Sequence, residues 1–184
     1  EPDYHGELGL PRLSGDPRPI IPVVFASDNN YVPMLTTTIY SMLVNASTDY
    51  RYDIVVLHRD INWENQARMK SFFGAFPHAD VRFCSVSAII DQYELTTNNP
   101  HISVETYYRF LIQKLLPYYN KVLYLDSDLI VKGDVSELYE TELGANLLAA
   151  TRDIDFLGNL NMKNGERLKY AKKVLGMTNP YDYF

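Results

Sequence analysis

The sequence predicts a layered α/β sandwich built on a mostly parallel β-sheet. Short apolar runs, typical of buried strands, alternate along the chain with segments whose apolar residues recur at helical spacing. Such alternation is typical of strand–helix–strand units, in which helices cover the sheet and ligands bind beyond the carboxyl ends of the strands. Apolar residues make up 46% of the 184 residues, enough to supply the core of one domain.

Two strand–helix units are expected in the first half of that domain. Ile20–Ala26 is a continuous apolar run, typical of a strand buried on both faces. Pro33 suits the first turn of a helix, and apolar residues follow it at helical spacing as far as Leu43. Tyr52–Leu57 is the second expected strand, and Asn62 can cap the helix that comes after it.

The second half continues the pattern. Asp80–Val86 is the third expected strand. Glu105–Leu116 carries its apolar residues on one helical face and is ended by Pro117, so we expect a helix there. Lys121–Leu125 and Asn146–Ala150 are the fourth and fifth expected strands.

The ends of the chain differ from this pattern. Residues 1–19 contain several prolines and glycines without apolar periodicity, so we expect a flexible tail there and a folded domain over residues 20–184. The chain stops soon after a helical segment with no terminating element, which leads us to expect a truncated carboxyl terminus.

Composition excludes several classes of function. A formal charge of −6 argues against a nucleic-acid-binding protein, which would need a basic surface. The apolar runs are too short to span a bilayer. Cys84 is the single cysteine and cannot form an internal disulfide, so we expect a cytoplasmic protein, including one bound peripherally at the inner face of a membrane.

Asp126 and Asp128 follow the apolar strand Lys121–Leu125. Alternate side chains of a strand point to the same face, so both carboxylates can reach one ligand. Two carboxylates that leave positions for phosphate oxygens and water suit octahedral Mg²⁺ or Mn²⁺, which would neutralise a departing nucleoside diphosphate. Asp153 and Asp155 have the same spacing, so spacing alone is not specific; the apolar strand beside the first pair distinguishes it.

Other polar residues have two interpretations each. Asp28 and Asn30, with Tyr31, can contact a nucleobase and ribose, or they can form an ordinary helix-capping turn. Arg109 lies among aromatic residues, where it can reach diphosphate or sugar oxygens, or pair with an acid. His101 is interpreted as a loop histidine without a catalytic role.

Three segments, in this order, resemble glycosyltransferase family 8, which includes glycogenin and bacterial lipopolysaccharide galactosyl- and glucosyltransferases. They are Val23–Tyr31, His101–Arg109 and Lys121–Asp128. The resemblance implies a GT-A fold, a UDP-hexose donor, Mn²⁺ dependence, a carbohydrate or glycolipid acceptor and retention of anomeric configuration.

The resemblance also implies roles for individual residues. The metal is assigned to Asp126 and Asp128, and the donor-sugar pocket, with its catalytic role, to Arg109 and Asp153. The nucleotide is assigned to Ala26, Ser27, Asp28, Asn30, Tyr31 and Ser127. The family's carboxyl-terminal His-x-x-Gly-x-x-Lys-Pro-Trp motif, whose histidine completes the metal site, is absent from this sequence.

Two alternatives remain open at this point. One is a nucleotide-sugar-binding fragment without transferase activity. The other is a haloacid-dehalogenase-type phosphatase, whose first motif also places Asp-x-Asp after an apolar strand. That family has the motif near the start of its domain and small residues after the second aspartate, whereas Leu129 and Ile130 follow Asp128 here. Motifs of P-loop, dinucleotide-binding, serine-hydrolase and zinc-protease type are absent from the sequence.

Overall fold

The computed structural model describes residues 16–93 and 103–182. The chain divides into two compact units, Glu1–Thr141 and Glu142–Phe184. The first unit has the layered α/β architecture that the sequence predicts. His101 lies outside the described residues.

A four-stranded parallel sheet forms the centre of the first unit, in the order β3-β2-β1-β4. Its strands are β1 (Ile20–Ala26), β2 (Arg51–His58), β3 (Ala79–Ser85) and β4 (Leu123–Tyr124). The first four predicted strands are confirmed, although β4 is shorter than predicted. Because every pairing is parallel, the carboxyl ends of all four strands lie at one edge of the sheet.

Helices follow the strands as the sequence predicts. They are α1 (Val32–Asn45), α2 (Trp63–Phe73), α3 (Ser87–Ile90), a 3₁₀ helix (Val104–Leu111), α4 (Ile112–Leu115) and α5 (Val135–Tyr139). Pro33 lies in the first turn of α1. Asn62 caps α2, because its side chain accepts a hydrogen bond of 2.9 Å from the Asn65 N–H.

The sheet is covered on both faces, which explains the continuous apolar run of β1. Val23 and Phe25 pack in a cluster with residues of α1 and α2. Val24 points to the opposite face, where it packs in a cluster with Tyr108 and Leu115. All five side chains are almost completely buried, and each such burial stabilises the fold by about 1.5–3 kcal/mol.

The helix predicted over Glu105–Leu116 is only partly α-helical. Its first part is the 3₁₀ helix Val104–Leu111, and α4 follows it. A 3₁₀ helix aligns side chains three residues apart. The Tyr108 hydroxyl accordingly lies 3.4 Å from the Glu105 carboxylate, and the Arg109 Nε donates to the Thr106 carbonyl oxygen at 3.0 Å. The apolar periodicity of the sequence does not distinguish this 3₁₀ helix from an α-helix, because it does not depend on these local bonds.

Residues 16–19 of the predicted tail are bound to the first unit. Arg18 forms an ion pair with Asp16 at 2.6 Å and donates a hydrogen bond of 2.6 Å to the Thr48 carbonyl oxygen. The Pro19 carbonyl accepts from the Arg51 N–H at 2.9 Å. Residues 1–15 lie outside the described part of the chain.

The second unit contains α6 (Ile154–Gly158), α7 (Met162–Lys173) and a 3₁₀ turn (Pro180–Asp182). The fifth predicted strand, Asn146–Ala150, is wrong, because this segment is exposed and has no strand pairing in the described residues. An apolar run becomes a strand only where a neighbouring strand accepts its hydrogen bonds, and Leu147 remains 99% exposed. Within residues 16–93 and 103–182, no helix has the length and apolar character needed to cross a membrane.

Candidate active site

The candidate site lies where β1 and β4 end side by side. The Leu125 N–H donates to the Val24 carbonyl oxygen at 3.1 Å, which extends the pairing beyond β4. Two residues later the Ser127 hydroxyl donates to the Ala26 carbonyl oxygen at 2.7 Å. The segment that carries both candidate metal ligands is therefore bound directly to the end of the central strand.

The two aspartates face solvent while the serine between them is buried. The Asp126 side chain is 61% exposed, Asp128 is also exposed, and Ser127 is only 7% exposed. The backbone turns at Ser127 and Asp128, beyond the end of β4, and this turn leaves an exposed aspartate on each side of the buried serine. The carboxylates therefore lie at the carboxyl edge of the sheet, where parallel α/β folds bind ligands.

Helix α1 holds the backbone that follows the aspartates. The Thr38 hydroxyl accepts from the Leu129 N–H at 3.0 Å and lies 3.0 Å from the Ser127 carbonyl oxygen. The Ser41 hydroxyl accepts from the Val131 N–H at 2.9 Å, and the Asn45 amide donates to the Val131 carbonyl oxygen at 3.0 Å. These polar side chains of α1 hydrogen-bond the backbone of residues 127–131, which lies beyond the end of β4.

Sequence reasoning missed these α1 residues. They are Thr38, Ser41 and Asn45, at positions i, i+3 and i+7 of the helix. That spacing places them along one side of α1. A threonine between the apolar residues Leu35 and Ile39 was the available signal, because a buried polar side chain needs a hydrogen-bond partner.

Arg109 lies beside the first aspartate. Its Nη2 is 3.4 Å from Asp126 Oδ1, and its guanidinium lies 4.5 Å from the centre of the Tyr124 ring. Burial raises the pKa of Tyr124, and the Arg109 cation opposes that rise. Arg109 therefore pairs with an acid and also lies close to the candidate ligand site, since that acid, Asp126, is a candidate metal ligand.

The turn after β1 is closed by Asp28 and leaves other side chains accessible. Asp28 Oδ1 accepts a hydrogen bond of 2.7 Å from the N–H of Tyr31, the N-cap residue of α1, which makes no side-chain capping bond of its own. Asn30 is exposed, and Tyr31 is 41% exposed. Asp28 therefore holds the turn that precedes the helix, while the side chains of Asn30 and Tyr31 remain accessible to a ligand.

Asn29 fixes the same turn against the start of α2 and was also missed. Its side-chain oxygen accepts hydrogen bonds from the Asn62 N–H at 3.1 Å and from the Asn65 amide at 3.0 Å. Its own N–H donates to Asp60 Oδ1 at 3.0 Å. The turn is therefore tied to the loop after β2.

The second acidic pair, in the second unit, has local partners. Asp153 Oδ1 accepts from the Phe156 N–H at 2.8 Å and caps α6. Asp155 lies 3.8 Å from the Arg167 guanidinium and accepts from the Asn159 amide at 2.8 Å. These contacts explain why the same Asp-x-Asp spacing occurs twice.

The residues present fit a hard divalent cation. Asp126 and Asp128 offer carboxylate oxygens, the ligands that Mg²⁺ and Mn²⁺ prefer. The Asp128 side chain makes no hydrogen bond or ion pair in the described part of the chain, so its carboxylate is available to bind a cation. Within residues 16–93 and 103–182, no three histidine, cysteine, aspartate or glutamate side chains are grouped closely enough to hold a metal ion by themselves. Phosphate oxygens and water would have to supply further ligands.

Comparison with known proteins identifies the family. The model of the family described as glycosyl transferase family 8 matches residues 22–180. The chain belongs to this family. That assignment rules against the phosphatase alternative.

Two similar proteins are bacterial glycosyltransferases. The glycosyltransferase GlyE of Streptococcus pneumoniae is 36% identical over 132 residues, which cover 71% of this chain and 31% of GlyE. A putative glycosyltransferase of Haemophilus influenzae is 28% identical over 162 residues, covering 88% of this chain and 45% of the relative. The chain thus spans less than half of the length of each.

Solved structures confirm the GT-A-type fold. The apo structure of the bifunctional glycosyltransferase WbbM is 34% identical, with a TM-score of 0.78, and the match covers 90% of this chain and 30% of that one. The galactosyltransferase LgtC, in complex with donor and acceptor sugar analogs, is 27% identical with a TM-score of 0.62. That match covers 79% of this chain and 53% of LgtC.

Proposed function

We propose that this chain forms the nucleotide-sugar-binding part of an Mn²⁺-dependent glycosyltransferase. The enzyme would transfer galactose or glucose from a UDP-sugar to a carbohydrate or glycolipid acceptor, with retention of configuration. The observation that carries the proposal is the pair of exposed carboxylates at the carboxyl edge of a parallel sheet in a family 8 chain. The donor and acceptor sugar analogs bound to the similar LgtC support a sugar donor and a sugar acceptor.

Asp126 and Asp128 are the proposed metal ligands. A divalent metal bound there, Mn²⁺ or Mg²⁺ in its place, would neutralise negative charge on the diphosphate leaving group. Arg109 adds a planar cation beside Asp126, suited to hydrogen bonds with diphosphate or donor-sugar oxygens. Asp153 is proposed to line the donor-sugar pocket.

The turn after β1 is the proposed uridine site. The exposed Tyr31 ring can stack on the base, and the Asn30 amide can both donate to and accept from a base edge. The proposed nucleotide-binding residues are Ala26, Ser27, Asp28, Asn30, Tyr31 and Ser127. Ser127 would lie near the ribose through its backbone, because its hydroxyl already donates to Ala26.

We further propose a cytoplasmic location, at the inner face of a membrane when the acceptor is a glycolipid such as a lipopolysaccharide precursor. Cys84, the single cysteine of the sequence, is buried and forms no disulfide, which supports a reducing compartment. Fractionation of cells that produce the protein would test this, and recovery from an oxidising compartment would contradict it.

Titration calorimetry with UDP tests the metal assignment. We expect UDP to bind the wild-type chain much more tightly with Mn²⁺ than with a chelator, because a cation held by Asp126 and Asp128 would offset the negative charge of the diphosphate. Asp128→Ala should remove the difference. Asp155→Ala is the matched control, since it deletes an aspartate of the same spacing whose partners are local. If the wild type bound UDP equally tightly in Mn²⁺ and in chelator, the assignment of Asp126 and Asp128 as metal ligands would be refuted.

The transfer step needs its own assay. UDP-galactose and UDP-glucose would be supplied with lactose or maltose as acceptor, and released UDP and extended sugar would be measured. Transfer from one donor identifies the hexose. Metal-dependent UDP binding without turnover of either donor would favour the alternative of a nucleotide-sugar-binding protein without transferase activity.

A further inference from the structure

We infer that Thr38 of α1 is a positioning residue for the metal site, acting through the backbone on either side of Asp128. The inference rests on the proposed metal-binding role of Asp126 and Asp128. Thr38 is distant in sequence from both aspartates, but its hydroxyl group contacts the backbone on each side of Asp128.

The two aspartates are fixed by different elements. Asp126 is held by β1, because its neighbours Leu125 and Ser127 donate hydrogen bonds to the carbonyl oxygens of Val24 and Ala26. Beyond Ser127 the chain leaves the sheet, since β4 itself ends at Tyr124. A different element must therefore hold Asp128.

The Thr38 hydroxyl contacts both peptide groups that flank Asp128. It lies 3.0 Å from the Ser127 carbonyl oxygen, which belongs to the peptide group before Asp128. It accepts from the Leu129 N–H at 3.0 Å, which belongs to the peptide group after Asp128. With both peptide groups in contact with one atom, rotation of the Asp128 backbone is restricted, and so is the direction in which its Cα–Cβ bond points.

The position of Thr38 makes this contact rigid. Its exposure is 0%, on a helix whose apolar residues pack against β1, so its side chain cannot follow a moving loop. A third contact, 2.9 Å from the Leu129 carbonyl oxygen, shares the single hydroxyl proton with the Ser127 carbonyl oxygen. Two carboxylates bind one cation tightly only when both are placed beforehand, and residues that orient metal ligands commonly change metal affinity by about 10–100-fold.

Three substitutions isolate the hydroxyl. Thr38→Val keeps the shape of the side chain and removes the hydroxyl, whereas Thr38→Ser keeps the hydroxyl and removes a methyl group. Thr36→Val is the matched control on the same helix, because the Thr36 hydroxyl donates to the Val32 carbonyl oxygen at 2.7 Å and, among the residues that the structure describes, bonds to no part of the Asp128 segment. Melting curves would confirm that each variant is folded.

The measurement is the dissociation constant for Mn²⁺ at saturating UDP, by calorimetry and by the electron paramagnetic resonance signal of free Mn²⁺. We expect Thr38→Val to bind Mn²⁺ about tenfold more weakly or worse, with Thr38→Ser and Thr36→Val within about twofold of the wild type. A merely structural role would lower the melting temperature of Thr38→Val without this loss of metal affinity.

Several outcomes would overturn the inference. Wild-type affinity in a folded Thr38→Val, or an equal loss in Thr38→Ser, would mean that the hydroxyl does not position Asp128. If Thr38→Val does not fold, Thr38→Ala, which removes the same hydroxyl, replaces it. Wild-type Mn²⁺ affinity in a folded Thr38→Ala would overturn the inference. Absence of Mn²⁺ binding to the wild type itself would instead refute the proposed function, and this inference with it.

Discussion

Replacing Arg82 by methionine should destabilise the first unit strongly. Arg82 on β3 binds the carboxylate of Asp53 on β2 through two nitrogens, with Nε at 2.7 Å from Oδ1. Tyr119 donates a further hydrogen bond of 2.7 Å to the same carboxylate. This network joins two strands to the segment that leads into β4, and hence to the candidate site.

The magnitude follows from burial. The Asp53 side chain is 1% exposed and Arg82 is 15% exposed, so Arg82→Met would leave a buried carboxylate without its cation. Breaking a buried pair from one side costs about 3–5 kcal/mol, and the partial exposure of Arg82 favours the lower end, about 3 kcal/mol. Replacing both partners, as Asp53→Leu with Arg82→Met, should restore part of that loss, because no buried charge remains although the Tyr119 hydroxyl loses its acceptor.

Urea unfolding followed by far-ultraviolet circular dichroism at pH 7 measures these free energies. Arg68→Met is the control, because Arg68 pairs with Glu64 on the surface of α2 at 72% and 56% exposure. It should cost no more than about 0.5 kcal/mol. A loss below about 1 kcal/mol for Arg82→Met, or a double variant less stable than the single one, would refute the account of this network.

Two further predictions concern pH and nucleotide selection. Burial lowers the pKa of His78 and the Arg18 cation lowers it further, so the unfolded chain takes up a proton first as pH falls below about 6.5. Stability should therefore fall below that pH, and His78→Phe should remove this part of the slope in melting temperatures; an unchanged slope would contradict it. Tyr31→Ala should weaken UDP binding by about 1–3 kcal/mol through lost stacking, and ADP and GDP should compete poorly with UDP on the wild type. Equal competition would leave the turn after β1 as a capping structure only.

Local sequence patterns determined the frame of this protein. The apolar run Ile20–Ala26 and the capped segment after Asn62 matched a strand and a helix, because burial and capping act within a few residues. Asp126 and Asp128 could be placed after a strand for the same reason, but β4 ends at Tyr124 and a turn at Ser127 and Asp128 sets the direction of the second aspartate.

The contacts between residues far apart in sequence were decided by the tertiary structure alone. Thr38 bonds to backbone about 90 residues away (separations of 89 and 91), and Arg109 finds its acidic partner 17 residues away. No pattern within either segment specifies these contacts. The apolar run Asn146–Ala150 misled for the converse reason, because a strand exists only where another strand accepts its hydrogen bonds. Hydrophobic period is a property of a segment, whereas hydrogen-bond partners are a property of the fold, and the arrangement around Asp128 depends on the latter.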